Sequence, residues 1–322
     1  MTSRPAPDAG PDAGPDANLS SVPTGQQWTV SRDDDELTVV QVGGGLRTWT
    51  RGGVDVVAGY PADATIVAGR GQQLIPWPNR IADGRWSFDG ADHQLALTEP
   101  KLHNASHGLV RWAPWSLGDL GEHHVTLTHR LHPQPGWDWV LDLATTYTLT
   151  GDGLEVTTRA TNLSAGRAPY GYGAHPYLHV GAVALDELTL TLPGSTFLEV
   201  SPDRLLPVAT HDVDGTTYDF RGGRVLGPTD LDTAFTDLAR GPDGRWEARL
   251  DGVALGTVTL WADEHYNWMQ VFTGRATSQT EGSNGVAIEP MTCPPAAFSS
   301  GTDLVVLAPG ASHTGTWGIR VG

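Results

Sequence analysis

From Trp28 onward, apolar and polar residues alternate with a period of two. The pattern is clearest where Leu141, Leu143, Thr145, Tyr147 and Leu149 fall on one side of an extended segment. It resumes at Leu154, Val156, Thr158 and Ala160, after the turn-forming Gly151-Asp152-Gly153, so the two runs predict a β-hairpin. Shorter runs of the same kind occupy 36–42, 187–192, 254–261, 266–272, 303–308 and 314–321, each bounded by Gly, Pro, Asp or Asn. No stretch carries the apolar stripe of an amphipathic helix. Many strands without helices between them predict an all-β chain folded as a large antiparallel sandwich or barrel. The same pattern excludes a doubly wound nucleotide-binding sheet.

Ahead of this region, residues 5–17 read PAPDAGPDAGPDA, a low-complexity stretch that cannot bury enough apolar area to offset its ordering entropy. A disordered tail over residues 1–24 and a single β domain over 25–322 are therefore expected. With 39% hydrophobic residues and 12 Trp in 322 residues, the chain has material for a large core.

Charge narrows the partners. The 37 acidic and 20 basic residues leave a net charge of -17, which repels nucleic acid and anionic lipid surfaces, so a small neutral ligand is expected. One cysteine, Cys293, cannot form an intrachain disulfide, and no window has the apolar length of a membrane helix. A cytoplasmic location follows as the expectation.

Two segments stand out chemically. In Tyr170-Gly171-Tyr172-Gly173-Ala174-His175-Pro176-Tyr177, small residues let the backbone approach a ligand, and His175 is a candidate acid, against the alternative of a hydrogen-bonded turn histidine. In Val286-Ala287-Ile288-Glu289-Pro290, a carboxylate ends an apolar run, where partial burial raises its basicity; the alternative is a strand-end Glu paired with an Arg.

Supporting groups are weaker one by one. His107 lies in Asn104-Ala105-Ser106-His107-Gly108, read as a loop and followed by Trp112 and Trp115, whose indoles suit either a sugar face or the core. Asn79 and Arg80 follow Trp77-Pro78, and Asp232 sits in Leu231-Asp232-Thr233-Ala234-Phe235. The His103/His107 and His175/His179 pairs have the spacing of helical zinc ligands, but Pro176 and the absence of helix argue against a metal. No glycine fingerprint or phosphate loop supports a nucleotide cofactor.

In chain order, the segments NRI, NASHG, GYGAHPY, LDTAF and AIEPMT resemble those of the aldose 1-epimerase, or galactose mutarotase, family, over about 240 residues from Gln72 to Pro309-Gly310. The resemblance implies a galactose mutarotase-like supersandwich that uses no metal or cofactor and acts on a free aldose such as glucose or galactose. By motif, it implies His175 as general acid and Glu289 as general base, with Arg80, His107, Asp232, Asn79 and Tyr177 holding the sugar. The chain departs from that pattern at Ala296, where the family often carries Asp or Asn.

The implied reaction has an ionised Glu289 take the C1 hydroxyl proton while a protonated His175 donates to the ring oxygen. Rotation about C1–C2 and reclosure then exchange the anomers, and a bell-shaped pH–rate profile is expected. Two other readings remain at this point. A glycoside hydrolase would use Asp232 and Glu289 as its carboxylates, and a non-catalytic carbohydrate-binding module would use the tryptophans alone. A hexose 6-phosphate site is disfavoured by the presence of one lysine, Lys101.

Overall fold

A computed structural model describes residues 22–275 and 285–322. The regular structure of the described residues is almost wholly antiparallel strand, and the only α-helix among them is the single turn Ala297–Ser300. The expected hairpin forms: Leu141–Leu149 pairs with Gly153–Asn162, setting Thr145 opposite Thr158 and Leu149 opposite Leu154. Leu141, Leu143, Thr145, Tyr147 and Leu149 are buried, and the residues between them are not. That is the alternation of a sheet with one wet face.

This hairpin lies within a nine-stranded sheet. Its order is Ser116–Leu120, His124–Leu131, Leu141–Leu149, Gly153–Asn162, Ser312–Val321, Gly256–Ala262, Trp246–Val253, Thr189–Thr191 and Arg224–Val225. An eight-stranded sheet runs Pro207–Asp212, Gly194–Val200, Asp232–Leu238, Trp268–Phe272, Gly285–Met291, Gly173–Ala174 and Gln73–Leu74, with Tyr177–His179 also paired to Gly285–Met291.

The centre of the eight-stranded sheet is covered on both faces, which is why its sequence runs apolar without alternation: every residue of Gly285–Met291 is buried. Register then assigns the faces. Gln270 is opposite Glu289, and Asp232 is opposite Phe272. Because successive side chains point to opposite sides, Phe235, Val271, Val286 and Ile288 enter one apolar core with Tyr147, Val156 and Leu250 of the nine-stranded sheet. Asp232, Gln270 and Glu289 are left together on the other face.

Some expectations shift. The 187–192 run opens as a 3-10 turn, Leu185–Glu187, before the strand Thr189–Thr191. Asn104–Ser106, read as a loop, is a strand paired with Arg80–Ala82, too short for periodicity to register. Residues 1–21 of the expected tail lie outside the described residues. Thr24 is buried and its carbonyl accepts the Val42 N–H at 3.0 Å, so packing reaches back at least that far.

A buried polar bridge joins the two large sheets. The Thr145 hydroxyl donates to Gln73 Oε1 at 2.6 Å, while Gln73 Nε2 donates to the Gly44 carbonyl at 2.8 Å, an oxygen that also accepts the Tyr147 hydroxyl at 2.8 Å. Gln73→Leu keeps the volume but strands the Thr145 hydroxyl. It is expected to destabilise the fold by about 1–3 kcal/mol, read as a lower urea midpoint at unchanged slope.

Candidate active site

Over the polar face of the eight-stranded sheet opens a cleft of about 820 Å³, lined by Asn79, Arg80, His107, His175, Asp232 and Glu289 among others. Six of the seven side chains singled out from the sequence thus converge on one cavity. The seventh, Tyr177, does not line it. Its ring is buried and stacks on His175, with centroids 5.1 Å apart and planes 14° from parallel, and its hydroxyl donates to the Ala68 carbonyl at 3.0 Å. Its expected contact with the ligand is corrected to a contact with the candidate acid. Residues two apart along an extended chain point the same way, which brings the His175 and Tyr177 rings together.

Local backbone chemistry explains the NR and HG signatures. Asn79 and His107 both adopt left-handed φ, 57° and 62°, at the ends of the short paired strands. They clasp each other: the His107 N–H donates to the Asn79 carbonyl at 2.8 Å, and the Asn79 N–H donates to His107 Nδ1 at 3.2 Å. Asn tolerates this conformation better than most residues. Gly108 follows at φ 73°, where a Cβ would stand 2.0 Å from the Ile75 carbonyl oxygen.

The clasp fixes a tautomer. With Nδ1 accepting, a neutral His107 must carry its proton on Nε2. Burial holds its pKa well below the usual histidine range, helped by the nearby charges of His175, Arg111 and Arg80. His107 is therefore a directed, uncharged donor.

Arg80 is aimed by a fork. Its Nε and Nη2 donate to the two Glu99 oxygens at 2.8 and 3.1 Å, a bidentate pair that holds the guanidinium plane. The Arg80 carbonyl also accepts the N–H of Ala296, which sits at φ 60°. Asp and Asn adopt that conformation more readily than Ala does.

The centre of the site is a pair. His175 Nε2 lies 3.3 Å from Glu289 Oε1, both buried. The His175 backbone is held on both sides, its N–H donating to the Gln72 carbonyl at 3.1 Å and its carbonyl accepting the Gly71 N–H at 2.9 Å. Burial pushes the His175 imidazole down to about 3, with Arg111 and Arg70 adding to it. Burial also pushes Glu289 well above the usual carboxylate range; Asp232 reinforces this and Arg80 opposes it. The sequence reading assigned an ionised glutamate and a protonated histidine. Desolvation favours the opposite placement of the same single proton, because an ion pair in a dry pocket loses more hydration than a neutral one.

Sequence reasoning missed several lining groups. Gln270 Nε2 donates to Asp232 Oδ1 at 2.6 Å, while its Oε1 is buried without a partner. Asp232 itself is pushed up by burial, opposed by Arg80. A glutamine inside the apolar run Trp268-Met269-Gln270-Val271-Phe272 was the available signal. Glu99 and Arg111 carried none. The two tryptophans divide: Trp115 is core, whereas Trp112 is 53% exposed at the cleft rim. Among the described residues no group of three His, Cys, Asp or Glu side chains is arranged to hold a metal, and no helix is long and apolar enough to cross a membrane.

Residues 26–320 match the aldose 1-epimerase family. The chain belongs to that family. YihR, an uncharacterized Escherichia coli protein, is 33% identical over 292 residues, covering 90% of this chain and 91% of its own. Human galactose mutarotase is 30% identical over 161 residues, covering 46% of this chain and 44% of its own. The aldose epimerase homologue from C. elegans superposes with a TM-score of 0.80 at 20% identity, over 92% of this chain and 98% of that one, a likeness of fold. Within the aldose 1-epimerase family, then, this member keeps its polar groups on one sheet face and one pair of clasped loops.

Two observables check the electrostatics of the site. The rings of His107 and His175 are expected to remain neutral between about pH 5 and 7, where an exposed histidine titrates. Nitrogen-15 spectra should show His107 as the Nε2–H tautomer. A midpoint near 6.5 for either ring would overturn the account of burial.

Proposed function

We propose that this chain is an aldose 1-epimerase that interconverts the α and β anomers of a free aldose such as glucose or galactose by acid–base ring opening and reclosure. The observation that carries the reading is the His175–Glu289 pair, 3.3 Å apart at the floor of the cleft. In a cyclic aldose the C1 hydroxyl and the ring oxygen are bonded to the same carbon. Two proton carriers serving them must stand side by side, one able to take while the other gives.

The proton count closes. Passing the pair's single proton from Glu289 to His175 gives carboxylate and imidazolium; from there Glu289 takes the hydroxyl proton, the C1–O bond to the ring oxygen breaks, and His175 protonates that oxygen. The product is the open aldehyde with a neutral Glu289 and a neutral His175. That is the proton placement burial favours, so the pocket stabilises the open-chain stage relative to a solvated pair. Rotation about C1–C2 presents the other aldehyde face, and the same two steps in reverse close the ring. No proton leaves the pair and substrate.

The surrounding donors and acceptors fit a polyhydroxylated ligand. Arg80 and the Nε2–H of His107 offer donors to its oxygens, Asp232 and Asn79 offer acceptors to its hydroxyls, and Trp112 offers a face to its C–H surface. A single buried cysteine suits a reducing, cytoplasmic setting.

Polarimetry of freshly dissolved α-glucose and α-galactose, with and without protein, tests the reading. Faster decay to the equilibrium rotation is expected. Glu289→Gln and His175→Asn should each lower the rate by about 10²–10⁴-fold with unchanged circular dichroism. Near-normal turnover in either variant removes that residue from the chemistry.

A further inference from the structure

Arg70 is a buried guanidinium that the reaction just described does not use. Its Nη1 donates to the Gly59 carbonyl at 3.1 Å and its Nε has no partner. Burial lowers its pKa, and its nearest ionisable neighbours are the phenols of Tyr177 and Tyr60, with no carboxylate paired to it among the described residues. A buried cation facing phenols is costly, and an apolar side chain of similar size would be the cheaper filling.

Its neighbourhood leads to His175. The Arg70 Cζ lies 5.7 Å from the Tyr177 ring centroid, and that ring is the one stacked on the His175 imidazole. The segment around Arg70 grips the same ring. Gly71 and Gln72 hold the His175 backbone on both sides, and Gly69 passes so close that a Cβ there would lie 2.8 Å from His175 Cδ2.

We propose that Arg70 is a positioning residue for His175: through Tyr177 it fixes the imidazole over the cleft, and its charge makes a second positive charge on that imidazole harder to hold. This rests on the mutarotase reading of the site. The groups facing His175 are Glu289 across the pair, His107 with its ring 5.9 Å away, Tyr177 in the stack, and the cations Arg70 and Arg111. Arg80 and Asp232 act on Glu289.

The sign follows from Coulomb's law. An imidazolium near a fixed cation is a stronger acid, which suits donation to a ring oxygen, a very weak base. Removing the Arg70 charge lets His175 keep its proton more firmly and makes Glu289 harder to ionise, so both limbs of the pH–rate profile move to higher pH. A charge about 10 Å away in a medium of intermediate polarity predicts a shift of about one pH unit.

The experiment compares the wild type with Arg70→Met, Arg70→Gln and Arg70→Lys, by mutarotation rate against pH and by nuclear magnetic resonance titration of the His175 ring. The two neutral variants are expected to lower kcat by about tenfold with little change in KM, and to raise the midpoint of His175 by about one unit. The lysine variant should recover most of that midpoint. A lower kcat with an unmoved midpoint makes Arg70 a packing residue only and overturns the proposal, as does a lysine variant that behaves like the neutral ones. Absence of wild-type activity on either sugar sinks the mutarotase reading, while the ring titration still decides what Arg70 does to His175. Should neither neutral variant fold, the lysine variant decides: a His175 midpoint held near that of the wild type supports the proposal, and one raised by about a unit overturns it.

Discussion

A histidine and a glutamate that would carry opposite charges in water lie 3.3 Å apart where water is largely excluded. Desolvation works against both charges, so the pair retains one proton and can place it on either partner. The neighbouring charges bear on that balance. Arg80 favours a charged Glu289 and Asp232 disfavours it, while Arg70 and Arg111 weigh against an imidazolium. A pocket with full ion-pair solvation would hold the proton on histidine.

Strand pairing supplies the geometry that this chemistry requires. Three neighbouring strands, Asp232–Leu238, Trp268–Phe272 and Gly285–Met291, put Asp232, Gln270 and Glu289 on one face by register alone. A slip of one residue would send Glu289 into the apolar core and Ile288 into the cleft. The opposite wall comes from segments whose conformation is fixed by backbone hydrogen bonds, the Asn79–His107 clasp and the Gly71–His175–Gln72 ladder. Precision here comes from backbone pairing on both walls, with side chains contributing the chemistry.

Much of this was legible beforehand, for identifiable reasons. The Leu141 to Leu149 alternation is a local property, and a half-buried strand writes it directly into the sequence. Five motifs in order pointed to His175, Glu289, Arg80, His107 and Asp232, and the structure brings all five to one cavity. Glu99 was not legible, because its pairing with Arg80 spans 19 positions and leaves no trace in either neighbourhood. The stacking of Tyr177 on His175 was not legible, since a motif records that a residue belongs to a site without saying what it touches. How deeply Glu289 and His175 are buried was not legible, because that is a property of the assembled sheets.

Gln270 has a corollary of a different kind. Its amide nitrogen is committed to Asp232, which leaves the carbonyl oxygen as a buried acceptor with no donor, on a residue that lines the cleft. Such an atom rewards a ligand that brings a hydroxyl hydrogen and penalises one that does not, and the penalty is far larger than that for a missing methylene. On the mutarotase reading, a preference for a ligand with a hydroxyl at that point would follow from one residue of a central strand of the sheet.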